Sequence, residues 1–520
     1  MANIPKDPLG GGSDKSKPRR WYRTSADPPF RLAMKYSNET DAGPSSAVAI
    51  FPWSKDSLDM LWDGGLNTDE YLPSWQAMIL EWSGVCAVGG RGRLVIYGLR
   101  HLPRLTSIYL PDQNDANIGG LAWAVRQELP FEPLLVFSAA SFVYVFSVKT
   151  RTIIGTLRGH GGHITAIAVH PIHPYLFCST SRDFTTRIYD LLLEPQQVPN
   201  NPHWPPGTGP SLAGAAHGLH MTEPEGEGMG RCVAVLSGGR SGGHLAAVLG
   251  AAFHPNQPLL ATCGVDRVVK IWRLPPLDGD TLAREDKPLF SSSQIHKARV
   301  LSVTWVNQDI LLTHSAPAMM RRQNDITDDI YEEAGTLVLW RWLSFDRFFP
   351  PNMPYQKVLR GCASDYQESA SFKLISIYSL PTGTSNLHVY HSLTHEPIVL
   401  FPFANGIRMI NVKHFSPRFS SGRPPFPLDE DEMVESMKNA RLNDDDEDDN
   451  SSAMVSPPVP LLPVEWEINA GKTNSTDAIA YSEDIAVCAM GVGGGVIVGA
   501  GAKGSVWFWE GGTLQSGSGI

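Results

Sequence analysis

The chain has 520 residues, of which 42% are hydrophobic and 18% are charged, so it can bury a large core, and a wholly disordered protein is excluded. Its formal net charge of -10 disfavours a surface that neutralises nucleic-acid phosphates, so we expect protein partners and no sequence-specific binding of nucleic acid. The 48 glycines, 41 prolines and 9% aromatic residues favour short strands joined by tight turns.

Residues 1–25 are predicted to form a flexible tail. The segment is rich in glycine and then basic at Lys15, Lys17, Arg19 and Arg20, which fits a nuclear-import patch and a solvated tail about equally well. It lacks the apolar stretch of a secretory leader, and no part of the chain approaches the roughly 20 apolar residues that span a bilayer. We therefore expect a protein of the cell interior with no membrane partner.

Two segments in the middle of the chain repeat one pattern. Each has a Gly-His pair, then an apolar run, a His-Pro pair, a second apolar run, an aspartate and a short strand ending in an aromatic residue. The first copy covers residues 159–190 and the second covers residues 243–273. This order and spacing are those of a WD repeat.

Five residues of these repeats are predicted to be structural. In a WD repeat, the histidine and the aspartate tie the loop between two sheets to a tight turn, in a buried network with the aromatic residue. The residues in these positions are His160, Asp183, His244, Asp266 and Trp272.

Weaker copies of the pattern extend the series to seven. They cover residues 84–97, 121–146, 295–340, 387–410 and 478–509. We therefore predict an all-β fold, a seven-bladed WD40 β-propeller with long loop insertions over residues 26–512, followed by a flexible tail at 513–520. The insertions are predicted at about 194–243, 319–335 and 413–462, where the sequence is rich in Pro and Gly, polar, or strongly acidic, and we expect mobile loops there.

Catalytic and metal sites are not expected. Residues 239–243 match the G-x-S-x-G pattern of serine hydrolases, with Ser241 as the nucleophile, but the sequence that follows predicts a strand and a His-Pro turn where the hydrolase fold needs a helix. The glycine-rich segment 491–504 lacks the Gly-Lys-Ser/Thr of a phosphate loop. The histidine pairs 160/163 and 170/173 lack Cys or carboxylate ligands at usable spacing. We predict no catalytic residue, no metal and no cofactor, and keep a Ser241 hydrolase as a remote alternative.

The repeats also resemble a particular family. The sequence Cys-Gly-Val-Asp at 263–266, with Lys-Ile-Trp-Arg at 270–273 and Ile-His at 295–296, is more specific than a general WD signature. Together with residues 121–123 and 133–148, it resembles successive blades of the embryonic ectoderm development (extra sex combs) family. The resemblance extends from about residue 48 to 509 and is weakest in the first, sixth and seventh repeats. The long insertions indicate a divergent member, of a kind expected in fungi.

The resemblance implies a function. In that family the propeller is the non-catalytic scaffold of Polycomb repressive complex 2, the histone H3 lysine methyltransferase complex of gene silencing. It implies a nuclear protein that binds and activates an enhancer-of-zeste-type catalytic subunit, beside other Polycomb subunits. A helical segment of the methyltransferase is expected along the underside of the ring, with apolar residues at i, i+3, i+4 and i+7. The alternative is a general WD-repeat adaptor of the histone-chaperone or ubiquitin-ligase type.

The histone H3 tail is a further candidate partner. The family reads trimethyl-lysine with aromatic side chains at the mouth of the channel, whose π faces attract a quaternary ammonium. The resemblance places the cage at Ala47, Val125, Leu387 and His388, of which only His388 has a ring. We therefore expect reading of the mark to be lost or weak. With a shifted alignment, Trp53, Trp123 or Tyr390 remain candidates for the cage, although strand alternation favours Trp123 as a core residue.

Overall fold

Four antiparallel strands form each sheet of a ring, and two of the sheets have a fifth strand at their outer edge. The computed structural model describes residues 21, 28–36, 43–64, 70–98, 106–110, 116–197, 224–238, 242–277, 279, 282–323, 328–350, 365–381, 384, 386–391, 397–412, 465–470 and 483–511. Seven such sheets confirm the predicted seven-bladed propeller. In the described part of the chain, no helix is long and apolar enough to cross a membrane.

The first strand, β1 (Phe30–Tyr36), belongs to the last blade, and the other strands follow in chain order. Within a blade they run from the channel outward. Blade 1 consists of β2 (Ala47–Ile50), β3 (Val85–Gly90), β4 (Arg93–Gly98) and β5 (Thr106–Tyr109). Blade 2 consists of β6 (Ile118–Val125), β7 (Pro133–Ala139), β8 (Phe142–Ser147) and β9 (Thr152–Leu157). Blade 3 consists of β10 (Ile164–Val169), β11 (Leu176–Ser181), β12 (Thr186–Asp190) and, after β13 (Gly226–Gly228), β14 (Arg231–Leu236).

The remaining four blades follow the same plan. Blade 4 consists of β15 (Val248–Phe253), β16 (Leu259–Gly264), β17 (Val269–Arg273) and, after β18 (Ala283–Glu285), β19 (Phe290–Ser292). Blade 5 consists of β20 (Val300–Trp305), β21 (Ile310–Ser315) and, after the hairpin β22 (Ala318–Gln323) and β23 (Asp328–Glu333), β24 (Thr336–Trp342) and β25 (Phe372–Ser379). Blade 6 consists of β26 (His388–Tyr390), β27 (Ile398–Phe403), β28 (Gly406–Asn411) and β29 (Glu465–Asn469). Blade 7 consists of β30 (Ile485–Met490), β31 (Val496–Gly501), β32 (Val506–Gly511) and β1.

The core consists of seven apolar clusters, and each lies between two neighbouring blades. The sheets are apolar on both faces; β7, for example, is buried along its whole length. Such a sheet needs a neighbour on each side, and a closed ring provides one for every face. The cluster of Val95 with Val498 and Phe508 joins blade 1 to blade 7 and so closes the ring.

Ring closure also uses the amino-terminal part of the chain. Strand β1 pairs antiparallel with β32, with Leu32 opposite Trp509. The first described strand is thereby hydrogen-bonded to the last, which joins the two ends of the propeller. Trp21 packs edge-on against Phe30 and Trp466 beside this junction.

A helical insertion separates the first two strands of blade 1. It comprises two 3-10 turns, Lys55–Asp59 and Leu61–Gly64, and helix α1 (Leu72–Trp82), which buries Trp75, Met78 and Ile79. The first sequence repeat was predicted to begin at residue 84, and this is wrong because its innermost strand lies at residues 47–50, before the insertion. Two shorter helical turns, α2 (Phe345–Phe348) and Val492–Gly494, lie in blades 5 and 7.

Two of the three predicted insertions contain described strands. The segment 194–243 is not a loop throughout, because β13 pairs with the edge of blade 2 and β14 is the outermost strand of blade 3. The segment 319–335 contains the β22–β23 hairpin in place of a mobile loop. All of 413–462, Ser241, the predicted tail 513–520 and the predicted tail 1–25 apart from Trp21 lie outside the described residues.

Candidate functional site

The site suggested by the resemblance is the mouth of the channel, where the innermost strands begin. We call this end of the ring the upper face and the other end the lower face. The innermost strands are β2, β6, β10, β15, β20, β26 and β30. Several of them carry a β-bulge after their first residue; in β10 the bulge lies between Ile164 and Ala166. The hydroxyl of the bulged residue Thr165 donates to the carbonyl of Val248 in the next blade, at 2.5 Å, so the bulge links neighbouring blades at the mouth.

In blade 3, the mouth is supported by a buried histidine–aspartate network. His160 Nδ1 lies 2.8 Å from Asp183 Oδ2, and His160 Nε2 lies 2.7 Å from Ser179 Oγ. The second carboxylate oxygen accepts from the hydroxyl of Thr185 at 2.7 Å, while Gly161 N–H donates to the first at 2.9 Å. The network ties the loop before β10 to the turn between β11 and β12.

Blade 4 repeats the network and completes it with tryptophan. His244 Nδ1 lies 2.9 Å from Asp266 Oδ2, and His244 Nε2 lies 2.8 Å from Thr262 Oγ1. The indole N–H of Trp272 donates to the same hydroxyl at 2.8 Å. The geometry fits a relay in which the indole donates to the hydroxyl, the hydroxyl to the imidazole and the imidazole to the carboxylate.

The charge states agree with this relay. Burial lowers the pKa of both His160 and His244, although the neighbouring carboxylates oppose the shift, so the imidazoles are neutral. Burial alone would raise the pKa of Asp266, but His244 and the backbone N–H groups hold it at about 2. The aspartates are therefore ionised acceptors.

Blade 5 has only part of the network. His296 Nε2 lies 2.7 Å from Thr313 Oγ1, and Trp340 Nε1–H donates to that hydroxyl at 3.2 Å. His296 Nδ1 lies 3.3 Å from the hydroxyl of Thr336, which matches Thr185 of blade 3, whose hydroxyl lies 3.3 Å from His160 Nδ1. The serine and threonine members of these networks were missed by the sequence reading, although polar residues inside otherwise apolar strands are a usable signal.

The predicted cage positions do not all lie at the mouth. Ala47 begins β2 and pairs with Gly89, where an added Cβ would lie 2.7 Å from the Cβ of Ile118. Ile118 of blade 2 is therefore level with Ala47. Val125 is seven residues further along the same strand, opposite Pro133, and its N–H donates to Pro174 O. Val125 therefore lies at the lower face, at the opposite end of the channel from Ala47.

The mouth presents no aromatic ring other than imidazole at the first positions of the innermost strands. These positions hold Ala47, Ile118, Ile164, Val248, Val300, His388 and Ile485. Leu387 precedes β26 and is half-buried in the cluster between blades 5 and 6. Burial lowers the pKa of His388 to about 4, and the nearby His391 adds to this shift.

The three aromatic residues of the shifted alignment are buried. Trp53 is 7% exposed, Trp123 is 3% exposed and Tyr390 is 9% exposed, and all three belong to the core between blades. The indole N–H of Trp123 donates to Ala49 O at 3.1 Å, which confirms it as a core residue. Their π faces are not presented to a ligand at the mouth.

Metal ligands do not cluster either. Within the described ranges, no three His, Cys, Asp or Glu side chains come together as a metal site requires. The imidazole of His170 accepts from the N–H groups of Ile172 and His173, so it orders the His-Pro turn. His254 does the same in blade 4.

Comparison with known proteins agrees with this architecture. A family model described as WD domain, G-beta repeat matches residues 151–190 and 230–273. Each match comprises the outermost strand of one blade and the three inner strands of the next, in blades 2 to 4.

The similar sequences are Polycomb proteins. Polycomb protein EED of Chaetomium thermophilum is 28% identical over 285 residues, which cover 54% of this chain and 41% of that protein. Polycomb group protein FIE1 of Zea mays is 28% identical over 168 residues, which cover 32% of this chain and 28% of that protein. The chain spans less than half the length of these relatives. These similarities confirm the resemblance found in the sequence.

The similar solved structures share the fold. A chain of an active polycomb repressive complex 2 in the basal state has a TM-score of 0.58 and 18% identity, covering 92% of this chain and 97% of that chain. A chain of Chaetomium thermophilum PRC2 in complex with H3K27me3 and H3K27M has a TM-score of 0.57 and 17% identity, covering 93% of this chain and 98% of that chain.

Proposed function

We propose that this chain is the non-catalytic WD-repeat scaffold of a Polycomb-type histone H3 lysine methyltransferase complex. The observation that carries the proposal is the similarity to Polycomb protein EED over 285 residues, together with a ring that aligns with 97% of a chain from a polycomb repressive complex 2 structure. In this role the chain binds and activates an enhancer-of-zeste-type catalytic subunit in the nucleus, beside other Polycomb subunits, and itself needs no cofactor.

The rigidity of the ring supports a scaffold role. Both faces of each blade are packed against neighbours, and the loops at the mouth are tied by buried networks such as that of Asp183. Such a frame holds its loops in one arrangement before a partner arrives, which lowers the entropy lost on binding. A partner helix can then bind on either rim.

The lower face is only partly open to a partner helix. The helical insertion of blade 1 covers the turns of blades 2 and 3, because the Ser74 hydroxyl accepts from Phe131 N–H at 2.9 Å and Trp62 N–H donates to Ile172 O at 2.9 Å. We therefore expect the methyltransferase helix to contact the lower face beyond this insertion, where Leu343 of blade 5 is 54% exposed.

Histone binding through the mouth is expected to be weak. Ala47, Leu387 and His388 offer no benzene or indole ring for a trimethyl-ammonium group, and cation–π attraction contributes about 0.5 to 2 kcal/mol where such rings exist. Loss of mark reading leaves the lower face unchanged. The scaffold and reading roles are therefore separable.

Co-expression with the enhancer-of-zeste-type subunit of the same organism tests the proposal. We expect the two chains to co-purify, and the isolated propeller to show no methyltransferase activity. Replacing Leu343 by Glu on the lower face should weaken the complex by about tenfold, as expected when an apolar contact of about 1.4 kcal/mol is lost. The matched variant Leu245→Glu, at an exposed position of the upper face, should not.

Failure of the folded chains to co-purify would overturn the proposal in favour of a general adaptor of the histone-chaperone or ubiquitin-ligase type. Hydrolysis of an activated ester that is abolished by Ser241→Ala would instead support the remote serine-hydrolase alternative.

A further inference from the structure

Five exposed side chains lie on the upper face of blades 3, 4 and 5. Leu245 and Val265 are apolar and are 65% and 41% exposed. The other three are exposed arginines: Arg182, Arg267 and Arg299. They come from the turns between β11 and β12 and between β16 and β17, and from the loops that lead into β15 and β20. We call these five residues the arginine surface.

The buried network of blade 4 fixes the middle of the arginine surface. Leu245 N–H donates to Asp266 Oδ2 at 3.0 Å, and Val265 N–H donates to Ala247 O at 2.9 Å. The two apolar residues therefore flank Asp266, and Arg267 follows it in the same turn. Because this backbone is already ordered, a partner that binds here loses little conformational entropy from the propeller.

The neighbouring blades carry the other two arginines. In blade 3, Arg182 N–H donates to His163 O at 2.9 Å, and in blade 5, Arg299 O accepts from Ala316 N–H at 3.0 Å. The innermost strands of both blades pack against β15 of blade 4. One extended segment of a partner can therefore contact all three blades.

The exposed charge of these turns is positive. Their aspartates, Asp183 and Asp266, have side chains that are 0% and 9% exposed. Each attracts a buried cation of its own blade, Arg187 or Lys270, and both cations are 4% exposed. The buried charges thus neutralise one another. Within the described ranges, the three arginines of the surface form no ion pair with a carboxylate.

Glu333 and Glu368 border the arginine surface, and both are already bonded. Glu333 lies 2.8 Å from the ammonium group of Lys297. Glu368 accepts from the N–H of Ser293 at 3.0 Å and from its hydroxyl at 3.1 Å. The guanidinium groups are therefore available to carboxylates of another molecule.

We propose that the arginine surface binds an acidic segment of a partner protein in which aliphatic residues stand between the carboxylates. Guanidinium groups pair with carboxylates through two parallel hydrogen bonds, and they are weakly hydrated, so they are common in protein interfaces. The aliphatic residues of the partner would cover Leu245 and Val265. A nucleic-acid backbone has no apolar group for these two side chains, which favours a protein as the occupant. The methyltransferase helix is expected on the lower face, so this binding does not depend on it.

Fluorescence anisotropy with labelled peptides tests the arginine surface on the full chain. A peptide of Glu-Leu-Asp-Ser repeats should bind, and its affinity should fall with added salt because exposed ion pairs are screened. Two control peptides separate the contributions. Repeats of Gln-Leu-Asn-Ser lack the carboxylates and repeats of Glu-Ser-Asp-Ser lack the aliphatic residue, and each should bind at least about tenfold more weakly.

A matched pair of arginine variants locates the binding. Arg267 and Arg151 are both exposed and have φ values of 66° and 59°, but Arg151 lies in the turn between β8 and β9 on the lower face. Asparagine tolerates this backbone conformation and removes the charge. Arg267→Asn should therefore weaken peptide binding about tenfold without loss of thermal stability, and Arg151→Asn should leave binding unchanged.

Leu245→Ser tests the apolar part of the surface. It should weaken binding of the Glu-Leu-Asp-Ser peptide but not of the Glu-Ser-Asp-Ser peptide, with an unchanged midpoint of thermal unfolding. The proposal is refuted by no binding to the unaltered chain, by equal binding of the uncharged peptide, or by equal losses in the Arg267 and Arg151 variants. Tighter binding of oligouridine RNA than of the peptide, lost in Arg267→Asn, would assign the surface to nucleic acid instead.

Discussion

Blades 4 and 5 each contain a buried histidine, but different groups contact its imidazole. In blade 4 the carboxylate of Asp266 accepts from His244 and from two backbone N–H groups. In blade 5 the corresponding imidazole, that of His296, lies 3.3 Å from the hydroxyl of Thr336. Both blades are nonetheless complete sheets. A blade can therefore form without the aspartate, which adds fixed acceptors for donors that would otherwise be buried unpaired.

Lowering the pH should reduce the stability of the propeller more than any of the substitutions that follow, and buried histidines of blade 5 contribute to this loss. Burial lowers the pKa of His170 and His296 to about 3 and that of His254 and His314 to about 4, from a usual 6.5. The unfolded chain therefore takes up protons near pH 6.5, whereas the folded chain does not until the pH is far lower. Stability is full above pH 6.5 and falls as the pH drops toward 4, by about 1.4 kcal/mol per pH unit for each such histidine. Urea unfolding at pH 7 and pH 5 measures this loss of stability, and equal unfolding midpoints at the two pH values would contradict the prediction.

Removing the aspartate of a complete network should have the next largest effect. Asp183→Ala leaves the donors of His160, Gly161 and Thr185 buried without their acceptor, at a cost of about 1 to 3 kcal/mol. Asp266→Ala should behave alike in blade 4. Thr336→Val in blade 5 is the matched control, since it removes two contacts of one neutral hydroxyl, 3.3 Å from His296 and 2.9 Å from Ser315, and should cost less than the loss of either carboxylate. The midpoints of thermal unfolding measure these losses of stability. A larger loss in the Thr336 variant than in the aspartate variants would contradict the prediction.

The smallest effect should be a gain in stability. His314 is 1% exposed on β21, and neither ring nitrogen has a hydrogen-bond partner among the described residues. Replacing it by Leu removes an unsatisfied buried group, so we expect stabilisation of up to about 1 kcal/mol and a shallower loss between pH 7 and pH 5. A destabilised variant with an unchanged pH slope would indicate that the imidazole is satisfied.

The clearest features could be predicted where the signal is local. The His-Pro turns, the paired His160–Asp183 and His244–Asp266 and the strand-end aromatic residue lie within about 30 residues of one another, so one sequence segment contains a whole structural unit. The helix α1 was missed although Trp75, Met78, Ile79 and Trp82 have helical spacing. Because this helix lies in an insertion that belongs to no repeat, the pattern of repeated strands does not indicate it.

The candidate site could be predicted less well, because it depends on which end of a strand meets which neighbour. The resemblance suggested Val125 at the mouth, but strand length and the bulge between Ile118 and Gly120 place Ile118 level with Ala47. A shift along one strand does not change its apolar pattern. The sequence therefore contains no local sign of such a shift.

The ring of WD repeats, with blades 3 and 4 nearest to the repeat pattern, follows from the sequence alone, because those signals come from residues close together in the chain. The pairing of β1 with β32, the parallel addition of β18 to β14 and the separate two-stranded sheet on blade 5 are visible only in the tertiary structure. Each of these arrangements depends on contacts between segments that are distant in the chain. Closure of the ring determines which strand edges are covered and which stay open.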